Sequence, residues 1–449
     1  MKNQDDKALD FEASLTRYYD HLVNFDPIRA VGRVQKARGL LLESKGPHMF
    51  VGEVARVYPS RGCPFLVEAV GLRGHENNLM PYEDVPTIEV GDRVVGLGST
   101  LMAPVGKSLL GRVLNGLGQP IDGKGPIYPE KMMSVFRGSP DAMERRAITE
   151  QIETGISAID AMMPIGKGQR VGIFSGSGVG KSTLMGMIAR NSSADVNVIT
   201  LIGERGREVR EFIDNELGTE GLKRSVVIVS TSDKTPLARV RGAYMACTIA
   251  EYFRDKNKDV MFLFDSVTRF AMAQREIGLA NGEPPASRGY TPSVFSQLPK
   301  ILERSGMAAC GSITGIYTVL VEGDDMEEPI SDSVRGILDG HIILSRELAE
   351  QGHYPAVDVL KSVSRLAPKI QEKALRDKVS HLRMLMSVYR DVADLLKVGA
   401  YAKGSDPMVD EAISKKEQLD MFLRQDLYES TSLVQTISNL EQIIAGTLD

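Results

Sequence analysis

The stretch Val171-Gly172-Ile173-Phe174-Ser175-Gly176-Ser177-Gly178-Val179-Gly180-Lys181-Ser182-Thr183 decides the fold of this 449-residue chain. A short apolar strand runs into a glycine-rich loop, then Lys-Ser-Thr, then a helix-forming run from Leu184 to Arg190. That order builds a phosphate cradle between a strand and a helix. Glycines let backbone N–H groups converge on phosphate oxygens, because a Cβ there would block close approach. Lys181 is placed to reach the β- and γ-phosphates, and the Ser182 hydroxyl to meet Mg²⁺. The positive end of the following helix faces the anion. Ser175 stands where the first glycine of the usual spacing lies, and its small side chain is expected to be harmless. Gly106-Lys107-Ser108 repeats the last letters of the motif, but Leu101-Met102-Ala103-Pro104-Val105 precedes it. With no glycine-rich loop and a proline expected to break any incoming strand, it reads as an ordinary turn.

Around this centre, the length predicts about two to three domains. A hydrophobic share of 42% and a charged share of 25% are those of an ordinary globular chain. The net charge of −5 leaves no global basic footprint for nucleic acid. Cys63, Cys247 and Cys310 are far apart, form no metal-ligand cluster and point to a reduced, cytosolic setting. Met1 to Asp10 is polar and acidic, unlike a signal peptide, and no run approaches the roughly 20 apolar residues that span a bilayer. Any membrane association is expected to come through partners.

Residues 1–25 are expected to form an amphipathic helix, with Leu9, Phe11, Leu15, Tyr18, Leu22 and Val23 near helical spacing. It either docks on its own domain or serves as a detachable handle for a partner. Residues 26–100 carry short β-runs at 38–43, 49–57, 64–70 and 91–95, which suggest a small barrel. Across 101–366, apolar strands expected at 170–174, 196–202, 225–230, 260–265, 312–321 and 341–344 alternate with helices. Such alternation indicates a parallel sheet covered on both faces. Residues 367–449 read as helical, with helices at 370–397 and 408–422 around a loop at 399–407. The fold class is α/β with an N-terminal barrel and a C-terminal helical domain.

Three further positions carry chemistry. Asp265 ends the apolar run Val260-Met-Phe-Leu-Phe-Asp265, where an acid at a strand's C-terminal edge beside a phosphate loop can hold Mg²⁺ through water. Glu204 follows another apolar run, and hydrolysis needs an acceptor near the γ-phosphate to orient and deprotonate water. The plainer reading, a solvated charged turn, suits Arg207 and Glu208 better. Arg365 alone is an ordinary surface arginine. Placed against the γ-phosphate of a neighbouring subunit, it would stabilise transition-state charge. Tyr354 offers either an aromatic face for adenine or simple core packing.

These residues resemble one family over nearly the whole chain: the catalytic subunits of rotary ATPases and their type III export relatives. The matching elements are Gly176-Ser-Gly-Val-Gly-Lys-Ser182, Gly203-Glu-Arg-Gly-Arg-Glu208, Asp265-Ser-Val-Thr-Arg269, Gly282-Glu-Pro-Pro-Ala286 and Pro355-Ala-Val-Asp358 with Ser362-Val-Ser-Arg365. The resemblance implies a β-barrel, a RecA-like central domain and a helical domain, arranged as a six-membered ring with ATP between neighbours. It implies Lys181 and Ser182 on phosphate and Mg²⁺, Glu204 as base, Arg205 as active-site arginine and Asp265 for the metal. Tyr354 would lie near adenine, and Arg365 would act in trans. Phe422-Leu-Arg-Gln425 resembles an adenine-side segment, with Leu427 where a second aromatic is expected.

Within the family, ATP synthase β subunits carry an acidic loop that meets the rotating stalk. Here the corresponding stretch, Val398-Gly-Ala-Tyr-Ala-Lys403-Gly-Ser-Asp-Pro-Met408, is neutral to slightly basic. With Gly289-Tyr290-Thr-Pro-Ser-Val294 and Thr318-Val-Leu-Val-Glu-Gly-Asp324, it resembles the flagellum-specific export branch. The implied partners are other copies of the chain in a homohexamer, a stator-like regulator at the N-terminal helix, a coiled-coil stalk in the pore, the membrane export gate, and export substrates with their chaperones. The implied place is the cytoplasm, at the inner membrane beneath the flagellar basal body. Four alternatives stay open: an injectisome ATPase, an ATP synthase β subunit, a non-catalytic ring subunit and a nucleic-acid motor. The barrel segment lacks the basic strip with interleaved aromatics that the last would need.

Overall fold

The computed structural model describes residues 30–85, 87–321, 323 and 325–446, so the expected helix at 1–25 lies outside the described residues. The described chain divides between Ser99 and Thr100 into two compact units.

The first unit is a closed antiparallel barrel. Its strands run in the order Val31–Arg38, Leu41–Lys45, Glu76–Pro81, Phe65–Arg73, Glu53–Tyr58 and Arg93–Thr100, the last pairing with the first. Alternate residues point inward, and Val34, Leu42, Ala55, Val57, Val67, Ala69, Leu79 and Val94 fill the interior. The β-run expected at 38–43 is instead split. Gly39, at φ 54°, turns the chain between the first two strands, a conformation that costs glycine nothing.

The second unit is built on a mostly parallel sheet. Its strands lie in the order Val363–Ser364, Gly340–Ile343, Arg170–Ser175, Ser312–Leu320, Asp259–Asp265, Val196–Ile202, Ser225–Ser230 and Arg112–Asn115. Val363–Ser364 runs antiparallel at the edge. The central strands are buried throughout, as their continuous apolar sequence requires. Helices cap where the sequence supplies acceptors. Thr235 receives the Ala238 N–H ahead of Pro236–Asp255, and Ser266 receives the Arg269 N–H ahead of Val267–Ala280.

Pro104 does not break its strand. Met102–Val105 pairs with Lys131–Ser134 in a separate two-stranded sheet, an edge setting that tolerates a residue without an N–H. Gly106-Lys107-Ser108 leads into a short 3₁₀ turn, Lys107–Leu109. The long C-terminal helix starts at Lys373 rather than 370, after the brief turn Ala367–Ile370. Helices Lys373–Lys397, Pro407–Leu423 and Leu433–Ala445 share one core with the sheet, through Leu382, Leu385, Leu419, Phe422, Leu440 and Ile443.

Candidate active site

The strand Arg170–Ser175 ends where Val321 and Leu344 donate their N–H groups to the carbonyls of Ser175 and Phe174. Ser175 is buried there, and its hydroxyl has no hydrogen-bond partner among the described residues. The chain leaves this edge through residues 176–180. Gly178 and Gly180 adopt φ 80° and 88°, conformations closed to most side chains. Val179 is buried and anchors the loop, while Ser177 is exposed. Gly180 then starts the helix Lys181–Asn191, which no side chain caps, so its first N–H groups and positive pole remain for an anion.

Two carboxylates converge on this helix start. Lys181 Nζ pairs with Asp265 Oδ1 and lies 3.5 Å from Glu204 Oε1. Asp265 comes from the end of Asp259–Asp265, two strands away from the loop strand. Between them, Thr318 of Ser312–Leu320 donates its hydroxyl to Asp265 Oδ1 at 2.7 Å. Glu204 follows Val196–Ile202, one strand further out, yet still reaches Lys181. Burial raises the Glu204 carboxyl most, the charge of Asp265 adds to this, and Lys181 only partly opposes it, so its pKa stands at about 7. Burial alone would lower the pKa of Lys181, but Asp265 and Glu204 overcome it and hold the ammonium above its ordinary value. The arrangement is a charged lysine at an anion cradle, with one carboxylate poised to take a proton near neutrality.

A model of the ATP synthase alpha/beta family, nucleotide-binding domain, matches residues 155–364, and a model of the T3SS EscN ATPase C-terminal domain matches 372–442. The flagellum-specific ATP synthase of Treponema pallidum is 56% identical over 430 residues, 96% of each chain. The chain belongs to the ATP synthase alpha/beta family, in its flagellum-specific branch. The flagellum-specific ATP synthase of Bacillus subtilis is 50% identical over 422 residues, 93% of this chain and 96% of that one. Among solved structures, the assembled ATPase EscN of the enteropathogenic E. coli type III secretion system superposes with a TM-score of 0.88. It is 41% identical and covers 92% of this chain and 100% of its own. EscN in complex with its central stalk EscO gives a TM-score of 0.86. As a member of this family, the chain is an ATPase.

The family fold leaves the other expected residues in distinct places. Tyr354 is 46% exposed, which rules out core packing, and a Cβ on Gly180 would sit 3.6 Å from its ring. Its backbone carbonyl accepts the backbone N–H of Gln425 at 2.9 Å, tying this stretch of chain to the C-terminal helical segment. Arg205 is largely exposed beside Glu208, 3.6 Å away. Arg365 is exposed, and its guanidinium donates to the Arg335 carbonyl at 3.2 Å. Its backbone N–H binds the Asp339 carbonyl, level with Arg170 at the start of the loop strand. Lys181 and Arg365 thus lie toward opposite ends of the strand Arg170–Ser175.

Three residues near the site carry no role in the sequence reading. Thr318 was hidden because strand order is not written in the sequence. Arg269 packs its side chain over Gly203, and its Nε is buried without a partner among the described residues. Its signal was its place in the Asp265-to-Arg269 motif. Leu427 packs against the core, whereas Tyr428 beside it is 75% exposed, with the Arg190 guanidinium 5.2 Å from its ring centre. The exposed aromatic is therefore one residue beyond the position where its absence was noted.

Proposed function

We propose that this chain hydrolyses MgATP to power export of flagellar proteins through the type III apparatus, as a homohexamer with ATP at the subunit boundaries. The observation that carries the reading is the convergence of Lys181, Asp265 and Glu204 at the open end of the phosphate loop. Backbone N–H groups of 176–180 and the helix pole bind the phosphates, and Lys181 neutralises the β- and γ-oxygens. The Ser182 hydroxyl and the Asp265 carboxylate are hard oxygen donors of the kind Mg²⁺ takes, and the cation, when bound, supplies charge neutralisation between the phosphates. Glu204 accepts a proton from water as the water oxygen bonds to the γ-phosphorus. The bond from that phosphorus to the bridging oxygen breaks, leaving ADP and phosphate. Arg205 and a neighbour's Arg365 add positive charge where it develops, and Tyr354 supplies an aromatic face for adenine.

The loop between the C-terminal helices favours export over synthesis. Asp406 caps Pro407–Leu423 through the Met408 N–H at 2.8 Å, and Asp410 accepts from Gly404 at 2.8 Å and Tyr401 at 3.1 Å. Both carboxylates accept hydrogen bonds within this segment, and the exposed Lys403 balances the exposed Asp406, so the loop is not acidic. The partners we propose are a stalk in the pore, a stator-like regulator at residues 1–25, the export gate, and substrates with chaperones; the complex of EscN with its central stalk EscO supports the first. Among the described residues no helix is long and apolar enough to cross a membrane. The proposed place is peripheral, on the cytoplasmic side of the inner membrane.

The test is Glu204→Gln, which should still bind ATP but hydrolyse it at least ~100-fold more slowly, the low end for losing a general base. Turnover at the wild-type rate would remove Glu204 from this role. Likeness to EscN supports an injectisome reading as the rival. A deletion strain that swims normally but fails to secrete effectors would favour that rival.

A further inference from the structure

The helix Lys181–Asn191 presents a stripe of Thr183, Gly186 and Arg190, three and four residues apart along one face. Residues 206–223 cross this stripe, beginning directly after Glu204 and Arg205. They fold as an α-helix Gly206–Glu211, a π-helix Phe212–Leu217 and an α-helix Gly218–Lys223. Glu216, within the π segment, lies along the stripe. Its Oε1 accepts the Thr183 hydroxyl at 3.3 Å, and its charge acts on Arg190. At the midpoint, a Cβ on Gly186 would stand 2.7 Å from Glu216 Cβ and 2.9 Å from its carbonyl oxygen. Only glycine allows so close an approach.

Two features of this contact exceed what packing needs. Glu216 Oε2 and Arg190 Nη1 are buried without hydrogen-bond partners among the described residues, an arrangement that costs stability. A π-turn takes up one extra residue, about 100° of rotation, and such turns concentrate at functional sites. An uninterrupted α-helix would swing the Glu216 carboxylate off the stripe.

We infer that Glu216 is a positioning residue for hydrolysis. It ties the first turn of the phosphate-loop helix to the segment that directly follows Glu204 and Arg205, and so sets the base in register with the phosphate cradle. The inference rests on the ATPase reading above and adds a residue that acts through Thr183 and the helix, without itself taking a proton.

The test compares wild type, Glu216→Ala, Glu216→Gln and Gly186→Ala by steady-state ATPase assay, MgADP binding and thermal melting. Glu216→Ala should lower kcat by ~10-fold, since displacing reacting groups by about 1 Å costs up to about 10²-fold. KM for ATP and MgADP affinity should stay within ~3-fold, as expected when only the alignment of the chemical step is lost. Glu216→Gln keeps an acceptor oxygen for Thr183 and should stay within ~3-fold of wild-type kcat, a rescue that a charge-only role would not give. Gly186→Ala removes no polar group but pushes Glu216 away, and should behave as Glu216→Ala. A wild-type kcat in Glu216→Ala overturns the inference, as does an equal fall in Glu216→Gln or an effect confined to melting temperature. If Glu216→Ala does not fold, a wild-type kcat in Gly186→Ala overturns it. A wild-type chain without ATPase activity would remove the parent reading instead.

Discussion

Glu204 combines two properties that a surface carboxylate cannot have together. It is within 3.5 Å of Lys181, and it is enclosed enough that its pKa rises to about 7. The sign of the consequence follows from the direction of that shift. A base must be ionised to take a proton, and a raised carboxyl pKa moves that ionisation up to neutrality. The kcat/KM for ATP, which reports the free enzyme, should therefore climb by ~10-fold between pH 6 and pH 8, with its midpoint near 7. ATP itself titrates in the same region, so the control is the residual activity of Glu204→Gln. The part of the climb that belongs to Glu204 should vanish in that variant, and an unchanged profile would show that another group titrates.

At the scale of elements, the helix Pro236–Asp255 is locked to its surroundings by one buried cation. Arg304 donates to Glu251 at 2.6 and 3.0 Å, to Thr248 at 2.9 Å and to the Val135 carbonyl at 2.9 Å. Both charged partners are nearly inaccessible. Removing Arg304 leaves the buried Glu251 only the half-exposed Arg137, 3.6 Å away, so Arg304→Met should cost about 3 kcal/mol in urea unfolding, the low end for a broken buried pair. The double variant Arg304→Met, Glu251→Leu should recover much of that loss, and strictly additive losses would refute the pairing argument. None of this network was legible in the sequence, because Arg304 and Val135 lie far along the chain from the helical turn Thr248 to Glu251. What was legible are the elements that local chemistry dictates. The six apolar runs of the central sheet appear as strands to within a residue or so, since strands buried on both faces have no polar alternation to blur them. The loop Ser175 to Thr183, Glu204 and Asp265 were equally visible, because each follows an apolar run at a strand's C-terminal edge. Pro104 misled because its tolerance depends on an edge position that only tertiary pairing reveals. The π-turn at Phe212–Leu217 had no sequence signal at all: Glu208, Glu211 and Asp214 give a charged face that fits an ordinary helix.

For the whole molecule, the position of Arg365 decides whether one chain is a complete catalyst. Arg365 is bonded at the level of Arg170, whereas the phosphate loop begins after Ser175 at the other end of the same strand. Five residues of strand at about 3.3 Å each put about 17 Å between the two levels, beyond the reach of an arginine side chain. Arg365 therefore does not serve its own loop, and if it acts on ATP it acts on a neighbour's. In a head-to-tail ring every boundary would join one subunit's Lys181 to the next subunit's Arg365. Lys181→Ala and Arg365→Ala homo-oligomers should each be nearly inactive, because each lacks one half of every site. Random equal mixing of the two variants should restore both halves at about a quarter of the boundaries, and ATPase activity should reappear in that proportion. Because the two defects lie at opposite ends of the same strand, neither variant can repair itself within one chain. Recovery therefore measures catalysis across a boundary, and its absence from mixtures shown to co-assemble would place Arg365 outside the site.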